Sequence, residues 1–432
     1  MFLISLFYTF SKIQETIWKS GKLEWRGQYF LFLFVFPRQF SEYRAHRRPS
    51  SMTTANVRSF GARGDGSAAD DAAIQKALDS GAARVEIPAG AYRITRTLCV
   101  RSNTTIAAEP GARVFVCGET PHRRGDFLLT NAGHAEGDAN ITIRGGVWDG
   151  HNAGRLNVKP PDLFDPGAWS GATLNFYNIR GLALEDMILD NAVTFNARFG
   201  RIAGFLIRNI GFRSAELRPN QDGLHFAGFV RNGVVENVAA LTSGQTNDDL
   251  IALNADDSVV RLENRDLDRG PIENLAIRNV RAENCYSAFR VLSVDAPIRG
   301  IRISGVTAGC RHYAINMDAA RHCATPLFAD AERPAGVGAV EDFAVDGMTV
   351  WHTEPSDLPL LRCETNAKTF AVRYFRRDLD KDRAPGAPTL TAHCLSNAVL
   401  RLKGGGAPAE TRLKSPADTF SCSSPFTDLA IN

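Results

Sequence analysis

The chain has 432 residues, and 50 Lys and Arg residues face 47 Asp and Glu residues, which gives a net charge of +3. This balance gives no reason to expect nucleic acid or an acidic membrane surface as a partner of the folded domain. The length exceeds that of a typical single compact domain, but a solenoid grows by adding repeats and needs no larger core.

The first 51 residues read differently from everything after them. They lack the repeat described below, and their apolar run, Tyr29–Phe36, is too short to span a bilayer. They also lack the basic start and the small-residue cleavage site of a signal peptide. We therefore predict that residues 1–51 are a poorly packed leader, and favour Met52 as the true start. The alternative is an unusual membrane-associating leader.

This choice of start also sets the expected localisation. A chain that begins at Met52 carries nothing that directs export, so a cytoplasmic location is favoured, and secretion is the alternative. A shortened chain beginning at Met52 is expected to fold with unchanged thermal stability.

The domain, residues 52–432, opens with a segment that predicts a cap over residues 56–95. Asp70 and Asp71 are typical of a helix N-terminus, and the following apolar residues form one inner face, namely Ile74, Ala77 and Leu78. Two short strands follow, at 85–90 and 92–94. This segment resembles the N-terminal part of pectate lyase-like β-helix proteins, in which a helix closes the open end of the solenoid. Asp65, Asp70 and Asp71 are accordingly interpreted as structural.

One pattern recurs seven times further along the chain, where a Gly, Asn or Asp is followed five positions later by another. The first members are Asn140, Gly181, Gly204, Asn232, Asn274, Gly300 and Asp342, and the second members are Gly145, Asp186, Asn209, Asn237, Asn279, Gly305 and Gly347. Apolar residues alternate between them, as in a strand with one buried face. The paired residues are those that tolerate left-handed backbone geometry.

The first members lie 41, 23, 28, 42, 26 and 42 residues apart, which indicates coils of 23–28 residues with inserted loops. We therefore predict an all-β fold, a single-stranded right-handed parallel β-helix over about 95–400 with a short N-terminal capping helix. The third residue after each first member is expected to stack in one interior column: Ile143, Leu184, Ile207, Val235, Ile277, Ile303 and Val345. The Asn and Asp members are expected to form hydrogen-bonded ladders at the turns.

Two carboxylate turns carry the clearest functional signal. Asn220-Gln-Asp222-Gly and Asn247-Asp248-Asp249 each open a short apolar strand, and aligning the strands puts Asp222 level with Asp249. Strands in a sheet lie about 4.8 Å apart, so three carboxylates converge and perturb one another's pKa. Such a group is what the hydrolysis of a glycosidic bond requires.

These turns resemble the motifs of family 28 glycoside hydrolases, the polygalacturonase group, which are Asn-Thr-Asp-Gly followed one coil later by Gly-Asp-Asp. The resemblance implies an inverting hydrolase in which Asp248 is the general acid, while Asp222 and Asp249 hold the attacking water. Asn220 and Asn247 are candidates for substrate binding in the same turns.

The chain departs from that family on the next coil, where Cys285–Leu292 contains no Gly-His-Gly and no later Arg-Ile-Lys strand follows. Aligning the strands puts Arg290 in the outward column of His225, with Asn316 one coil further on. Arg290 is therefore a substrate-binding candidate, and the alternative is that it only neutralises Asp249. Without the lysine, a galacturonate polymer is in doubt.

His225 is expected to face outward beside Asp222 and to bind substrate or carry a proton. On the next coil, His312, Tyr313 and Asn316 are candidates for extending the site. Asp256 and Asp257 are interpreted as part of a solvated loop.

No cysteine pair has the spacing of a metal site, and without a secretory signal the eight cysteines do not imply a disulfide framework. Cys285 and Cys310 are expected to fill the core. We predict no cofactor and no metal; the expected partner is a carbohydrate substrate, and the oligomeric state is left open.

The favoured function is a glycoside hydrolase acting on a polysaccharide or oligosaccharide, pectin-like or related. A polysaccharide lyase on the same scaffold is one alternative, and it requires a basic residue within reach of the substrate. A non-catalytic carbohydrate-binding β-helix is the other, and it has no need of three converging carboxylates.

Overall fold

The computed structural model of the protein describes residues 53–117, 127–153, 172–256, 268–319, 336–404 and 410–432. The predictions for the leader, residues 1–51, and for Asp257 lie outside these residues.

The described chain holds one α-helix, α1 (Asp71–Asp79), and one 3-10 helix (Val57–Phe60). The strands of the first part are β1 (Thr54–Asn56), β2 (Asp65–Ala69), β3 (Arg84–Ile87), β4 (Gly90–Ile94), β5 (Leu98–Val100), β6 (Thr105–Ala108), β7 (Ala112–Val116), β8 (Leu129–Asn131), β9 (Asp138–Arg144) and β10 (Val147–Asp149). Those of the middle are β11 (Leu174–Asp190), β12 (Ala197–Arg213), β13 (Leu224–Phe226), β14 (Val230–Ala240), β15 (Asp249–Asn254), β16 (Ile272–Cys285), β17 (Ser287–Leu292), β18 (Ile298–Cys310) and β19 (Ile315–Met317). The last are β20 (Val340–His352), β21 (Leu361–Cys363), β22 (Ala367–Arg377), β23 (Leu390–His393), β24 (Ala398–Lys403), β25 (Glu410–Leu413), β26 (Thr419–Cys422) and β27 (Asp428–Ile431).

Successive coils stack through two parallel ladders. The short strands pair in the order β13, β15, β17, β19, β21 and β23. The long strands pair in the order β11, β12, β14, β16, β18, β20 and β22. The predicted all-β, right-handed parallel β-helix is therefore confirmed.

The interior column is also confirmed, residue by residue. Leu184 pairs with Ile143 on one side and Ile207 on the other, and the register continues through Val235, Ile277, Ile303 and Val345. All seven side chains are buried. Cys285 and Cys310 are buried in neighbouring strands as well, with their sulfurs 3.9 Å apart.

The turn positions explain why the long strands bend around the core. All seven first members and all seven second members of the repeat have a positive φ, between 49° and 78°. At the second positions the Nδ2 of Asn237 donates to Oδ1 of Asn209 at 2.8 Å, and that of Asn279 donates to Asn237 at 3.0 Å. These bonds confirm the predicted amide ladder.

Helix α1 lies at the start of the solenoid with its predicted inner face, Ile74, Ala77 and Leu78, buried. Asp70 is its N-cap by position, but the Asp70 carboxylate accepts the backbone N–H groups of Arg63 and Gly64 at 2.6 and 3.0 Å. Asp70 is thus structural, as predicted, although it holds the preceding turn and makes no side-chain cap bond to the helix.

The other end of the solenoid changes character after β23. Strands β24–β27 pair antiparallel with one another and with β22 and β23. The sequence analysis did not predict this antiparallel end. Over the described parts of the chain, no helix has the length and apolar character needed to cross a membrane.

Candidate active site

The two carboxylate turns lie on neighbouring coils, immediately before or at the start of β13 and β15. His225 pairs with Ala252, so Asp222 is level with Asp249, as the alignment predicted. The backbone N–H of Gly223 donates to the carbonyl of Asp249 at 2.9 Å. The β-ladder therefore fixes the spacing between the two turns.

Side-chain amides tie the two turns to each other. The Nε2 of Gln245 donates to Oε1 of Gln221 at 2.9 Å, and both residues are buried. Gln221 in turn donates from Nε2 to the carbonyl of Ala192 at 2.6 Å. Each glutamine stands just before the aspartates of its coil, so this contact restricts how far the carboxylates can move apart.

The two asparagines of the turns differ in their environment. Asn247 donates to the carbonyl of Arg218 at 3.1 Å and accepts from Arg311 at 2.6 Å, so its side chain holds neighbouring loops together. Asn220 has a φ of 58°, and its side chain makes no hydrogen bond to the described residues. Asn220 remains a candidate for substrate binding, whereas the contacts of Asn247 are those of a structural residue.

The three aspartates differ in exposure. Asp222 and Asp249 are each only 3% exposed, whereas Asp248 is half-buried. Asp248 is therefore the most accessible carboxyl group of the three. The other two lie in the wall beneath it.

Burial and mutual repulsion perturb the proton affinity of this group. Burial first, and then the carboxylate of Asp222, raises the pKa of Asp248 to about 7. Burial and then Asp248 raise the pKa of Asp249 well above its usual range. The guanidinium of Arg290 opposes both shifts. Both carboxyl groups are therefore protonated more readily than a solvated aspartate.

Asp222 is held by His225, whose Nδ1 lies 2.6 Å from one carboxylate oxygen, Oδ2. The imidazole is almost fully buried, and the edge of the Phe195 ring packs against it, with centroids 4.5 Å apart. His225 thus lies in the outward column beside Asp222, as predicted, but its ring is buried beneath neighbouring side chains. Oδ1 of Asp222 accepts no hydrogen bond from the described residues.

Arg290 does lie in the outward column between Ala252 and Asn316, as predicted. Its Nε and Nη2 bind the two oxygens of Asp318 at 3.2 and 3.3 Å, and Asp318 is fully buried. The proposed alternative, that Arg290 only neutralises Asp249, is wrong because its direct partner is Asp318.

The polar face continues on later coils. The hydroxyl of Tyr313 accepts from Arg362 at 2.8 Å, and Arg362 also binds the buried Glu364. Nε2 of His393 lies 3.2 Å from Glu364. His312, also expected to extend the site, stacks on Tyr286 with centroids 3.9 Å apart.

Asp256 has a structural role that the sequence analysis missed. Its Oδ2 accepts the backbone N–H groups of three successive residues, Val294 to Ala296, at 2.5 to 2.9 Å, and the side chain is buried. The interpretation of Asp256 as part of a solvated loop is therefore wrong.

Two further residues of the site escaped the sequence analysis, Asp318 and Phe195. Asp318 stands two residues after Asn316, so strand alternation puts it on the outward face already identified for Asn316. Phe195 stands in a connection between strands and carries no comparable signal.

Comparison with known families supports the first part of the solenoid. A sequence profile described as rhamnogalacturonase A/epimerase, pectate lyase-like, matches residues 54–153. The resemblance to the pectate lyase-like superfamily is thereby confirmed for this part of the chain.

The individual proteins that are similar to this chain differ in the roles that their names describe. The pre-neck appendage protein of Bacillus phage B103 is 36% identical over 106 residues, which is 24% of this chain and only 12% of that protein. A solved 1,3-α-1,4-β-D-galactose-4-sulfate-3,6-anhydro-D-galactose-2-sulfate 4 galactohydrolase is similar over 73% of this chain and 76% of its own, at 14% identity and a TM-score of 0.53. A family 28 exopolygalacturonase of Yersinia enterocolitica is similar over 76% of this chain and 66% of its own, at 16% identity and a TM-score of 0.49.

At 14% identity the likeness to the galactohydrolase shows the fold alone. The pre-neck appendage proteins of Bacillus phages PZA and phi29 are each 30% identical to this chain over 97 residues, which is 11% of their own length.

Proposed function

We propose that the protein is a glycoside hydrolase that cleaves a polysaccharide or oligosaccharide by inversion, with Asp248 as the general acid and Asp222 as the general base. The observation that carries this proposal is the half-buried Asp248, whose pKa is raised to about 7 beside two deeply buried carboxylates.

The role of Asp248 follows from its protonation. A general acid is most effective when its pKa lies near the working pH, because it is then both protonated and ready to donate. Burial and the Asp222 charge give Asp248 this property near neutrality. Of the three aspartates it is also the most exposed, which supports contact between its carboxyl group and the leaving oxygen of a substrate.

The role of base falls to Asp222, with His225 as a positioning residue. The contact of 2.6 Å between His225 and Oδ2 fixes the orientation of the carboxylate and leaves Oδ1 to accept a hydrogen bond from the attacking water. Asp249 is less suited to this role than the family resemblance implies, because burial and the neighbouring Asp248 raise its pKa well above the usual range and so disfavour the charged form that a base needs.

Arg290 bears on the sugar that this site accepts. Nε and Nη2 of Arg290 already bind the Asp318 carboxylate, so much of the positive charge that an acidic sugar would need at this position is offset. This arrangement favours a sugar without a carboxylate beside Arg290. Arg290 then positions Asp318 and moderates the pKa of the acid, with at most a secondary role in binding the substrate.

A structural, non-catalytic role is the second candidate, and the similarity to the phage appendage protein favours it. The two functions differ in what they require of Asp248. A structural solenoid gains nothing from a half-buried carboxyl group beside two buried carboxylates, whereas a hydrolase loses its proton donor without it.

The test is a reducing-sugar screen of the full chain over plant and bacterial glycans, followed by kinetics of Asp248→Asn on the best substrate. Removal of the proton donor is expected to lower kcat by about 10² to 10⁴-fold with little change in KM. Asp346→Asn is the matched control, because it removes a carboxylate that is exposed on another part of the solenoid.

Each outcome separates the candidates. New reducing ends that disappear with Asp248→Asn support the hydrolase. An unsaturated product that absorbs in the ultraviolet identifies a lyase. Glycan cleavage with full turnover in Asp248→Asn contradicts the assignment of Asp248 as the acid. Binding without any cleavage contradicts the hydrolase and leaves the structural role as the better account.

A further inference from the structure

A charge-alternating column runs along the solvent face of the long strands. Seven residues on successive coils lie side by side in register: Arg180, Ala203, Arg231, Glu273, Arg299, Glu341 and Lys368. Glu273 forms an ion pair with Arg299, and Lys368 lies 3.8 Å from Glu341. From Arg231 onward, opposite charges therefore alternate, as expected where neighbouring side chains stabilise one another across strands.

The alternation breaks at Ala203. Its two neighbours in the column, Arg180 and Arg231, are both exposed arginines, and the small side chain between them carries no charge. Among the described residues neither arginine has a hydrogen-bond or ion-pair partner. Glu273, which lies next to Arg231 in the column, forms its ion pair with Arg299. Two strand spacings separate the two arginines, which is about 10 Å between their backbones.

A cavity of about 210 Å³ lies at this break. It is lined by these two arginines and Ala203, and also by Arg201, Phe229 and Glu273. The missing acidic side chain is thus replaced by space that is open to a ligand.

The far wall of the cavity is built by a fixed cation. Nε of Arg201 donates to the hydroxyl of Tyr177 at 2.8 Å, and Arg201 also forms an ion pair with Asp268. Its guanidinium lies 4.4 Å from the centroid of the Phe229 ring. Phe229 has a φ of 62°, which is uncommon for a bulky residue, and such conformations cluster at ligand and switch sites.

We propose that this pocket binds an oxyanion, a carboxylate or sulfate group carried by an acidic sugar, between Arg180 and Arg231 above Ala203. The ligand then supplies the negative charge that the column lacks. Guanidinium groups suit this task because their N–H groups match the geometry of carboxylate and sulfate oxygens. A water occupies about 30 Å³ in the liquid, so the cavity exceeds a bare oxyanion and has room for part of a sugar ring.

The pocket lies at the opposite end of β13 from the carboxylate turn. Phe229 follows Asp222 by seven residues, and a chain of that length spans at most about 25 Å. A glycan that crosses β13 would therefore be able to contact both places. The assignment concerns binding and stands without hydrolysis at Asp248.

The test is calorimetric titration of the full chain with trigalacturonate and, separately, with sodium sulfate at matched ionic strength. Ala203→Glu supplies the missing carboxylate from within the chain and is expected to weaken trigalacturonate binding by about tenfold or more, the loss of one charge-assisted bond. The same variant is expected to raise the melting temperature, because it completes the ion-pair column. Ala203→Gln is the matched control of equal size and should retain most of the affinity and give no such rise.

The affinities of the variants and of the two anions decide whether the proposal holds and which molecule carries the anion. Equal weakening by both substitutions indicates steric blocking, and Arg231→Gln then decides: unchanged binding in that variant overturns the proposal. Trigalacturonate binding stronger than sulfate binding identifies an acidic sugar, and equal binding with the same dependence on residue 203 identifies a free oxyanion. Binding of neither anion, or binding that is indifferent to Ala203→Glu, overturns the proposal.

The outcome is independent of the proposed hydrolysis. Asp248→Asn is expected to leave the effect of Ala203→Glu on trigalacturonate binding intact. A failure of the catalytic assignment thus shows in turnover, while a failure of the pocket shows in this titration.

Discussion

Two outward faces of the same coils handle charge in opposite ways. On the long strands a second column alternates in sign, with Glu185 beside Arg208 and Glu236 beside Arg278, and its pairs are partly exposed. On the short strands, Asp222, Asp248 and Asp249 lie together without an arginine between them, and two of the three are buried. This column of the long strands satisfies its charges through neighbours on the next coil, whereas the face of the short strands concentrates like charges.

This difference distinguishes charges that are compatible with the stability of the solenoid from charges that are suited to catalysis. Alternating surface charges change the free energy of folding only slightly, since exposed ion pairs stabilise proteins by less than about 1 kcal/mol. Burying like charges costs stability, and the raised pKa values of Asp248 and Asp249 record that cost. Perturbed carboxyl groups of this kind are concentrated at active sites.

The largest expected difference between the faces concerns their arginines. Arg290→Ala leaves the buried Asp318 without its bidentate partner and is expected to lower the free energy of unfolding by about 3 kcal/mol. Arg278 is exposed and lies 4.0 Å from Glu236, so Arg278→Ala is expected to cost less than about 1 kcal/mol. Urea unfolding measures both.

A second substitution locates the cause of that loss. Adding Asp318→Asn to Arg290→Ala removes the uncompensated buried charge and is expected to restore part of the lost stability. Equal costs for Arg290→Ala and Arg278→Ala would remove the distinction between the two faces.

The next difference concerns pH. The folded state raises the pKa of Asp248 to about 7 from the unfolded value of about 3.9, so folding favours the protonated form. The stability that this proton provides is fully present below about pH 4 and is lost as the pH rises through about 7. An asparagine at this position has no proton to lose. The free energy of unfolding of Asp248→Asn, relative to that of the unsubstituted protein, should therefore increase between pH 4 and pH 8.

Melting temperatures across that range test this expectation. Asp346→Asn, which removes an exposed carboxylate 3.8 Å from Arg373, should change stability only slightly at either pH. A stability difference for Asp248→Asn that stays constant from pH 4 to pH 8 is incompatible with a buried, perturbed acid.

The smallest expected effect is at a turn. Asn237 has a φ of 57° and both donates and accepts in the amide ladder. Asn237→Ala loses the ladder and also strains the left-handed backbone, whereas Asn237→Gly loses the ladder alone. Alanine is expected to cost about 1 kcal/mol more than glycine, as measured by thermal unfolding. A ranking in the opposite order would mean that backbone geometry does not select residues at these turns.

The fold could be predicted from the sequence because every coil repeats the same local requirement. A left-handed turn residue followed by alternating apolar residues occurs seven times, and each occurrence predicts the same strand and the same bend. The register from Ile143 to Val345 follows from aligning these local patterns, so no long-range information was needed. The same alignment placed Asp222 beside Asp249 and Arg290 between Ala252 and Asn316.

Tertiary structure decided what those outward side chains contact. Alignment gives the column in which a residue stands, but the depth of burial depends on loops and side chains from other coils. His225 is covered by Phe195, Arg290 turns to Asp318, and Asp256 caps a distant turn. The antiparallel end after β23 lacks the repeat, so its pairing also required the folded chain. Periodicity is local and can be read from sequence, whereas desolvation and partner choice arise only when separate coils come together.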